Sequence, residues 1–159
     1  MKPKIYIETS VVSYRAGRAS RDVVIAGRQQ STLDFWALLG GELSAFVSAL
    51  VVKEAGKGNS ELAKCRLDTI QPFPVLRTTP EAERLAEAIL DARGVPTEYP
   101  EDALHIALAA VAGMDFIVTW NFAHINNPFT KMMIRQAVEN AGYDCPEIVS
   151  PDAFLGGET

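Results

Sequence analysis

Three acids and an amide in this 159-residue chain stand where chemistry can be done. Glu8 directly follows the apolar run Ile5-Tyr6-Ile7. Glu54 lies inside the segment SALVVKEAGKG, Asp102 follows Pro100-Glu101, and Asn121 follows the short apolar run Phe116 to Thr119. Carboxylates crowded together repel one another and raise one another's pKa. A hard divalent cation relieves that repulsion. Mg²⁺ or Mn²⁺ prefers oxygen ligands and keeps several waters for a phosphate-bearing substrate. Two such ions can activate a water and stabilise the leaving oxygen of a phosphodiester. Each residue also has an ordinary reading. Asp102 suits a helix N-terminus, and His105, three residues on, reads as a satisfied surface or core histidine. Glu54 alone is a helix-surface acid, and Asn121 alone is a turn residue. Glu8 resists such a reading, because an apolar strand seldom needs an acid at its end. The metal reading rests on the set.

The elements that must position them follow from hydrophobic patterning. Lys4 to Ile7 reads as a short buried strand. Residues 15 to 28 carry Arg15, Arg18, Arg21 and Arg28 against Asp22, with Gly17, Ser20 and Gly27, and part of this reads as a mobile basic loop. A helix is expected from about Gln29 to Leu39, where Leu33, Trp36 and Ala37 recur at helical spacing, with Gly40-Gly41 as its stop. Leu43 to Val47 reads as a strand. Ser48 then caps a short helix, Ala49 to Ala55, ended by Gly56. Ser60 to Thr69 is helical and Phe73 to Leu76 a strand. Thr79-Pro80-Glu81 and Pro100-Glu101-Asp102 both look like helix starts, with proline at the first helical position and acids in the first turn. Those helices end at Gly94 and Gly113. Phe116 to Thr119 is a strand, Pro128 to Ala141 a helix, Glu147 to Val149 a last strand, and Pro151 to Phe154 a final helical turn. Strands alternating with helices imply parallel pairing through helical crossovers. The expected fold is α/β: a three-layer α/β/α sandwich with a central, mainly parallel sheet. In such sheets ligands bind beyond the carboxyl ends of the strands. Glu8, Glu54, Asp102 and Asn121 are all placed to converge at one such edge.

Composition bounds the rest. A single domain over residues 1–155 is expected, with a short flexible tail at 156–159. Hydrophobic residues make up 48% and charged residues 22%, which fits a globular chain and argues against disorder. The net charge of −5 argues against a broad basic face for nucleic acid. Any phosphate contact therefore needs a local basic patch or bound metal. Cys65 and Cys145 show neither metal-ligand spacing nor a disulfide framework. No apolar run reaches the roughly 18 residues of a membrane span, and no signal peptide is visible after Lys2 and Lys4. A cytoplasmic protein is expected.

Four segments carry a family resemblance: IYIETSVVSY, SALVVKEAGKG, EDALHIALAAVAGMDFIVTWN and EIVSPDAFL. In order and spacing, across nearly the whole chain, they resemble the PIN-domain family and, within it, the VapC-type toxins. The third segment is the most specific, with an acid at a helix start, an Ala-rich helix, and a short strand ending in Thr before a polar residue. The resemblance implies a metal-dependent nuclease acting on RNA, with Mg²⁺ or Mn²⁺ as cofactor and a central parallel sheet. It assigns the family's four acidic positions to Glu8, Glu54, Asp102 and Asn121, as metal ligands and catalytic residues. Two of these depart from the usual pattern. Glu8 stands for Asp and reaches one methylene further, while Asn121 stands for Asp and removes a charge. Three negative charges instead of four imply that metal binding survives and that a second ion is held weakly. The hydroxyls of Thr9, Ser10 and Thr119 are implied to orient the acids or metal waters.

Substrate contacts are assigned to Arg15, Arg18 and Arg21, together with Arg28, through phosphates. A solvated mobile loop is the equal alternative. His124 is placed near Asn121, with substrate contact and a structural hydrogen bond as its two readings. Trp36 and Trp120 read as core or partner-facing residues rather than base-stacking platforms. The leading function is therefore a metal-dependent ribonuclease, the toxin of a type II toxin–antitoxin pair, with RNA, a cognate antitoxin and a second copy of itself as partners. The competing reading is a catalytically weak or inactive PIN-fold module that binds RNA or protein. A phosphoacceptor receiver domain is set aside, because it needs paired acids after the first strand and a lysine where this chain has Trp120-Asn121.

Overall fold

A strand of a parallel sheet is covered on both faces and so reads as a continuous apolar run. β1, Lys4–Ile7, meets that requirement, with Ile5, Tyr6 and Ile7 fully buried. A computed structural model describes residues 1–156 of the chain. The remaining elements follow β1 in the order α1 (Thr9–Ala16), α2 (Val23–Trp36), β2 (Ser44–Ser48), α3 (Ala49–Ala55) and α4 (Ser60–Ile70). Then come β3 (Val75–Leu76), α5 (Pro80–Asp91), α6 (Pro100–Val111), β4 (Phe116–Val118), α7 (Lys131–Asn140), β5 (Glu147–Val149) and a 3₁₀ turn (Pro151–Leu155). The strands form one five-stranded sheet in the order β3-β2-β1-β4-β5, and every pairing in it is parallel. The expected α/β architecture is borne out. The expected tail, 156–159, lies outside the described residues except for Gly156.

The strand order reverses between β1 and β4. From β1 the chain runs outward through β2 to β3, then crosses back to β4 and on to β5. Right-handed crossovers in opposite directions put α1–α4 on one face of the sheet and α5–α7 on the other. The helix contacts agree with that division: α1 packs with α2, α3 and α4, and α5 packs with α6 and α7. The point of reversal is where an open α/β sheet leaves a crevice for a ligand.

Several sequence expectations need correction. The basic segment 15–28 is mostly helical, leaving only residues 17–22 between α1 and α2. Two N-caps account for this. Glu8 accepts a hydrogen bond from the Ser10 N–H and starts α1, and Asp22 accepts one from the Ile25 N–H and starts α2. Both are local side-chain bonds that satisfy otherwise orphaned helix donors. The helix expected from Gln29 thus begins at Val23. The third strand shortens from Phe73–Leu76 to Val75–Leu76, and the helix expected from Pro128 starts at Lys131 after a turn.

One buried bond ties α2 to the end of β4. Trp120, 8% exposed, donates from Nε1 to Thr32 Oγ1 at 2.8 Å, and Thr32 donates onward to the Arg28 carbonyl at 2.7 Å. Thr32→Val keeps the shape and leaves the indole N–H without a partner. A buried donor left unpaired costs roughly 1–3 kcal/mol. Urea denaturation should register a loss of that size for Thr32→Val, and an unchanged midpoint would show that water replaces the bond.

Candidate metal centre

Glu8 occupies the crevice at the point of reversal. Its backbone N–H donates to the Val118 carbonyl at 3.1 Å, so it extends β1 alongside β4. Its side chain is 5% exposed. Oε2 accepts from Ser10 N–H at 3.1 Å, and Oε1 accepts from Thr119 Oγ1 at 2.6 Å and from the Ser10 hydroxyl. Charge-assisted bonds of this kind make a buried carboxylate tolerable. Ser10 Oγ also accepts from the Trp120 N–H at 2.9 Å, which fixes the start of the loop after β4.

Glu54 reaches the same place from the last turn of α3. That helix starts where β2 ends, because Ser48 Oγ accepts from Val51 N–H at 3.1 Å. Glu54 Oε1 accepts from the Thr9 hydroxyl and lies 2.7 Å from His105 Nε2. His105 comes from the second turn of α6 and is fully buried. Its Nδ1 lies 2.7 Å from the Tyr6 hydroxyl, which lies 2.8 Å from Ser48 Oγ. Ser48, Tyr6, His105 and Glu54 thus form one chain of hydrogen bonds from β2 through β1 and α6 to α3.

Charge in this chain has a definite direction. Burial works to raise the Glu54 carboxyl, but the bond and charge of His105, with Thr9 and Lys57, outweigh it and hold the pKa below its ordinary 4.5. Burial works to lower His105. The bond to Glu54 and the negative charges of Glu8, Glu54 and Asp102 outweigh it and hold the ring above its ordinary 6.5. Burial raises the Tyr6 hydroxyl, and Glu8 and Glu54 add to the effect.

The ligand atoms of Glu8, Glu54 and His105 lie within 4.8 Å of one another. Asp102 is not part of that group. It sits in the first turn of α6, where its Oδ2 meets His124 Nδ1 at 2.9 Å. Asn121 Oδ1 accepts from the His124 N–H at 3.0 Å, and the Asn121 N–H donates to Thr119 Oγ1 at 2.9 Å. The structure thus gathers Glu8 and Glu54 directly, and links Asp102 and Asn121 through His124. Thr9, Ser10 and Thr119 each bond one of the acids, Thr9 to Glu54 and the other two to Glu8.

The donor set suits a hard divalent cation. Two carboxylates approach each other closely, and Glu54 Oε2 and Asp102 Oδ1 take no part in the bonds above. His105 has both ring nitrogens committed to protein partners, so it fits as an orienting neighbour of Glu54 better than as a ligand. Histidine–carboxylate support of this type is a common feature around metal ligands. In the sequence His105 reads as a satisfied surface or core histidine, and Tyr6 carries no reading of its own. A tyrosine within a strand buried on both faces needs a partner for its hydroxyl, and that was the available signal. Clefts of about 650 Å³ beside Met1, Lys4 and Phe116 and of about 510 Å³ beside Arg93, Pro96 and Glu98 are lined by none of Glu8, Glu54, Asp102 and Asn121. Glu8 is buried, while the Glu54 and Asp102 side chains are 24% and 17% exposed and so keep a path to solvent.

The basic residues divide. Arg18 makes an exposed pair with Glu61 at 3.9 Å, of the kind that contributes little. Arg15 lies over the Trp36 ring at 5.8 Å, and Arg21 is exposed. Arg28 lies over Trp120 and Phe122, at 5.5 and 5.2 Å from the ring centroids, beside the loop that carries Asn121. Trp120 is a core residue, and Trp36 packs at the edge of the core against Phe73.

The opposite shifts of Glu54 and His105 give the metal-free protein a stability optimum. The ionised carboxylate stabilises the fold above pH 4.5, and this is lost as pH falls through its lowered folded value. The protonated imidazole stabilises it below pH 6.5, and this is lost as pH rises through its raised folded value. Thermal unfolding in EDTA should therefore peak between those limits and decline on the alkaline side. His105→Gln should flatten the alkaline decline. If wild type and His105→Gln decline alike, the imidazole is not the group responsible.

No family model matches the sequence, and no curated protein matches it. Solved structures do. A chain of the Rickettsia felis VapBC2 complex, crystallised with a DNA fragment from its promoter, superposes with a TM-score of 0.56 at 15% identity. The match covers 75% of this chain and 89% of that one. Mycobacterium tuberculosis VapC20, described as a sarcin–ricin loop cleaving toxin, superposes with a TM-score of 0.53 at 16% identity, covering 87% of this chain and 95% of that one. What these likenesses establish is architecture: the chain has the α/β fold of the PIN-domain, VapC-type toxins.

Proposed function

We propose that this protein is a metal-dependent endoribonuclease and the toxin of a type II toxin–antitoxin pair. One observation carries the reading. Two carboxylates from separate elements, Glu8 and Glu54, meet at the point where the strand order reverses, on a fold shared with VapC toxins. Glu8, Glu54 and Asp102 would hold Mg²⁺ or Mn²⁺, and Asn121 would assist through its side-chain carbonyl or a water. A bound divalent ion supplies an activated water and offsets charge on the phosphodiester. The chain's own residues do the rest. Ser10 and Thr119 fix Glu8, Thr9 and His105 fix Glu54, and His124 fixes Asp102. Arg15, Arg18, Arg21 and Arg28 contact backbone phosphates, with Arg28 the best placed. His124 contributes both to the site and to substrate contact.

Exposed apolar side chains support partners. Phe129 lies in the turn before α7, Met132 and Met133 in its first turn, and Val23 and Val24 begin α2. These surfaces suit a homodimer and an antitoxin. No helix among the described residues is long and apolar enough to cross a membrane, which accords with a cytoplasmic place of action.

Purified protein should cleave RNA in Mg²⁺ or Mn²⁺ and lose that activity in EDTA. Glu8→Ala, Glu54→Ala and Asp102→Ala should each cost more than the roughly 10–100-fold of an orienting neighbour such as His105. Unchanged cleavage by Glu54→Ala and Asp102→Ala would rule this site out. A second reading, a weak or inactive module binding RNA or protein, is favoured by the neutral Asn121 and by the His124 bond to Asp102. Calorimetric titration with Mn²⁺ separates the two. Binding that disappears when the acids are removed supports the enzyme. Asn121→Asp restores the fourth charge and should tighten Mn²⁺ binding. No change on that substitution would place position 121 outside the ion's reach.

A further inference from the structure

Tyr99 serves the fold through its backbone, whose carbonyl accepts from the Asp102 N–H, and its side chain is left for another role. It precedes Pro100 at the start of α6, its side chain caps nothing, and it is 46% exposed. Its ring stacks on His124, with centroids 3.9 Å apart and planes at 25°. His124 cannot turn freely. Its Nδ1 is held by Asp102 Oδ2 and its backbone N–H by Asn121 Oδ1. A partly exposed aromatic stack is therefore fixed in orientation and joined to two of the residues assigned to the ion site.

We propose that Tyr99 and His124 form a platform on which a nucleobase of single-stranded RNA stacks, next to the phosphate that is cut. The inference rests on the ribonuclease reading above and specifies how that site holds its substrate. Unpaired RNA bases are recognised by stacking on tyrosine and histidine rings, whereas a duplex keeps its bases stacked inside. Such stacking tolerates any base, because each presents a π-face. A platform held rigid before binding loses little further freedom when occupied. Backbone recognition is available from α2, which packs beside the same loop. Arg28 lies against Trp120 and Phe122, and its guanidinium takes no ion pair among the described residues. The platform grips the base while the guanidinium meets the neighbouring phosphate.

The test uses fluorescein-labelled oligo(A), oligo(C) and oligo(U) RNA. Anisotropy reports binding with Ca²⁺ in place of Mg²⁺ to slow cleavage, and kcat and KM are measured in Mg²⁺. Tyr99→Ala should weaken binding about tenfold, within the range one stacked base contributes, and raise KM more than it lowers kcat. Tyr99→Phe and Tyr99→Trp should keep wild-type affinity. With wild-type protein, an abasic residue moved along the strand should reproduce the loss at one position, and that lesion should add nothing to Tyr99→Ala. RNA cleaved by wild type with a flat abasic scan overturns the platform alone, even if Tyr99→Ala fails to fold. Unaltered binding by a folded Tyr99→Ala does the same. Protein that neither binds nor cleaves any of these strands overturns the platform together with the ribonuclease reading.

Discussion

The burial of the Glu8 carboxylate is the constraint on which this structure turns. A charge taken out of water is costly unless hydrogen bonds replace the lost solvent. Here the donors come from two places far apart in sequence: Ser10, just after β1, and Thr119, at the end of β4. The two strands must therefore lie side by side, with their ends level, for the acid to be satisfied. The parallel register of Ile7 with Val118 provides that alignment. Ser10 passes the constraint on by accepting from the Trp120 N–H, and Trp120 passes it to Thr32 on α2. One acid thereby couples the central strands, the loop after β4 and a helix of the outer layer.

The second carboxylate is secured by different means. Glu54 depends on an imidazole whose other nitrogen is anchored through Tyr6 to Ser48. Ser48 also caps the helix that carries Glu54. The acid's main-chain placement and its side-chain orientation thus share one anchor. The positive charge favoured on His105 and the negative charge favoured on Glu54 reinforce each other in a region screened from water, where such interactions are strong.

Much of the frame was legible in the sequence, because period and punctuation were strong there. Apolar runs at Ile5–Ile7 and Phe116–Val118, the Ser48 and Thr79 caps, and proline at 80 and 100 all carry local signals that tertiary packing did not override. The convergence of Glu8 with Glu54 was also legible, from the rule that sites gather at the carboxyl ends of parallel strands. Two kinds of information were not. The start of α2 depended on an exposed aspartate cap ahead of Val23-Val24-Ile25, and the surrounding arginines and glycines masked it. The partners of His105 and His124 depend on contacts 99, 51 and 22 residues away in the chain, and no local pattern encodes which of them a ring nitrogen will meet. Asp102 illustrates the difference. Its helix-start position was readable, but its capture by His124 was not.

The turn after β4 holds the Asn121 side chain through Oδ1, which accepts from the His124 N–H, and its backbone through its own N–H, which donates to Thr119. Its Nδ2 takes no part in these bonds. An aspartate carboxylate could accept the same backbone hydrogen without disturbing the turn. The fold is therefore indifferent to which of the two residues stands at 121, while the charge at the sheet edge is not. A single nucleotide separates the two codons. Evolution, or a protein engineer, can reset the negative charge of this edge in one step, leaving every element that built it in place.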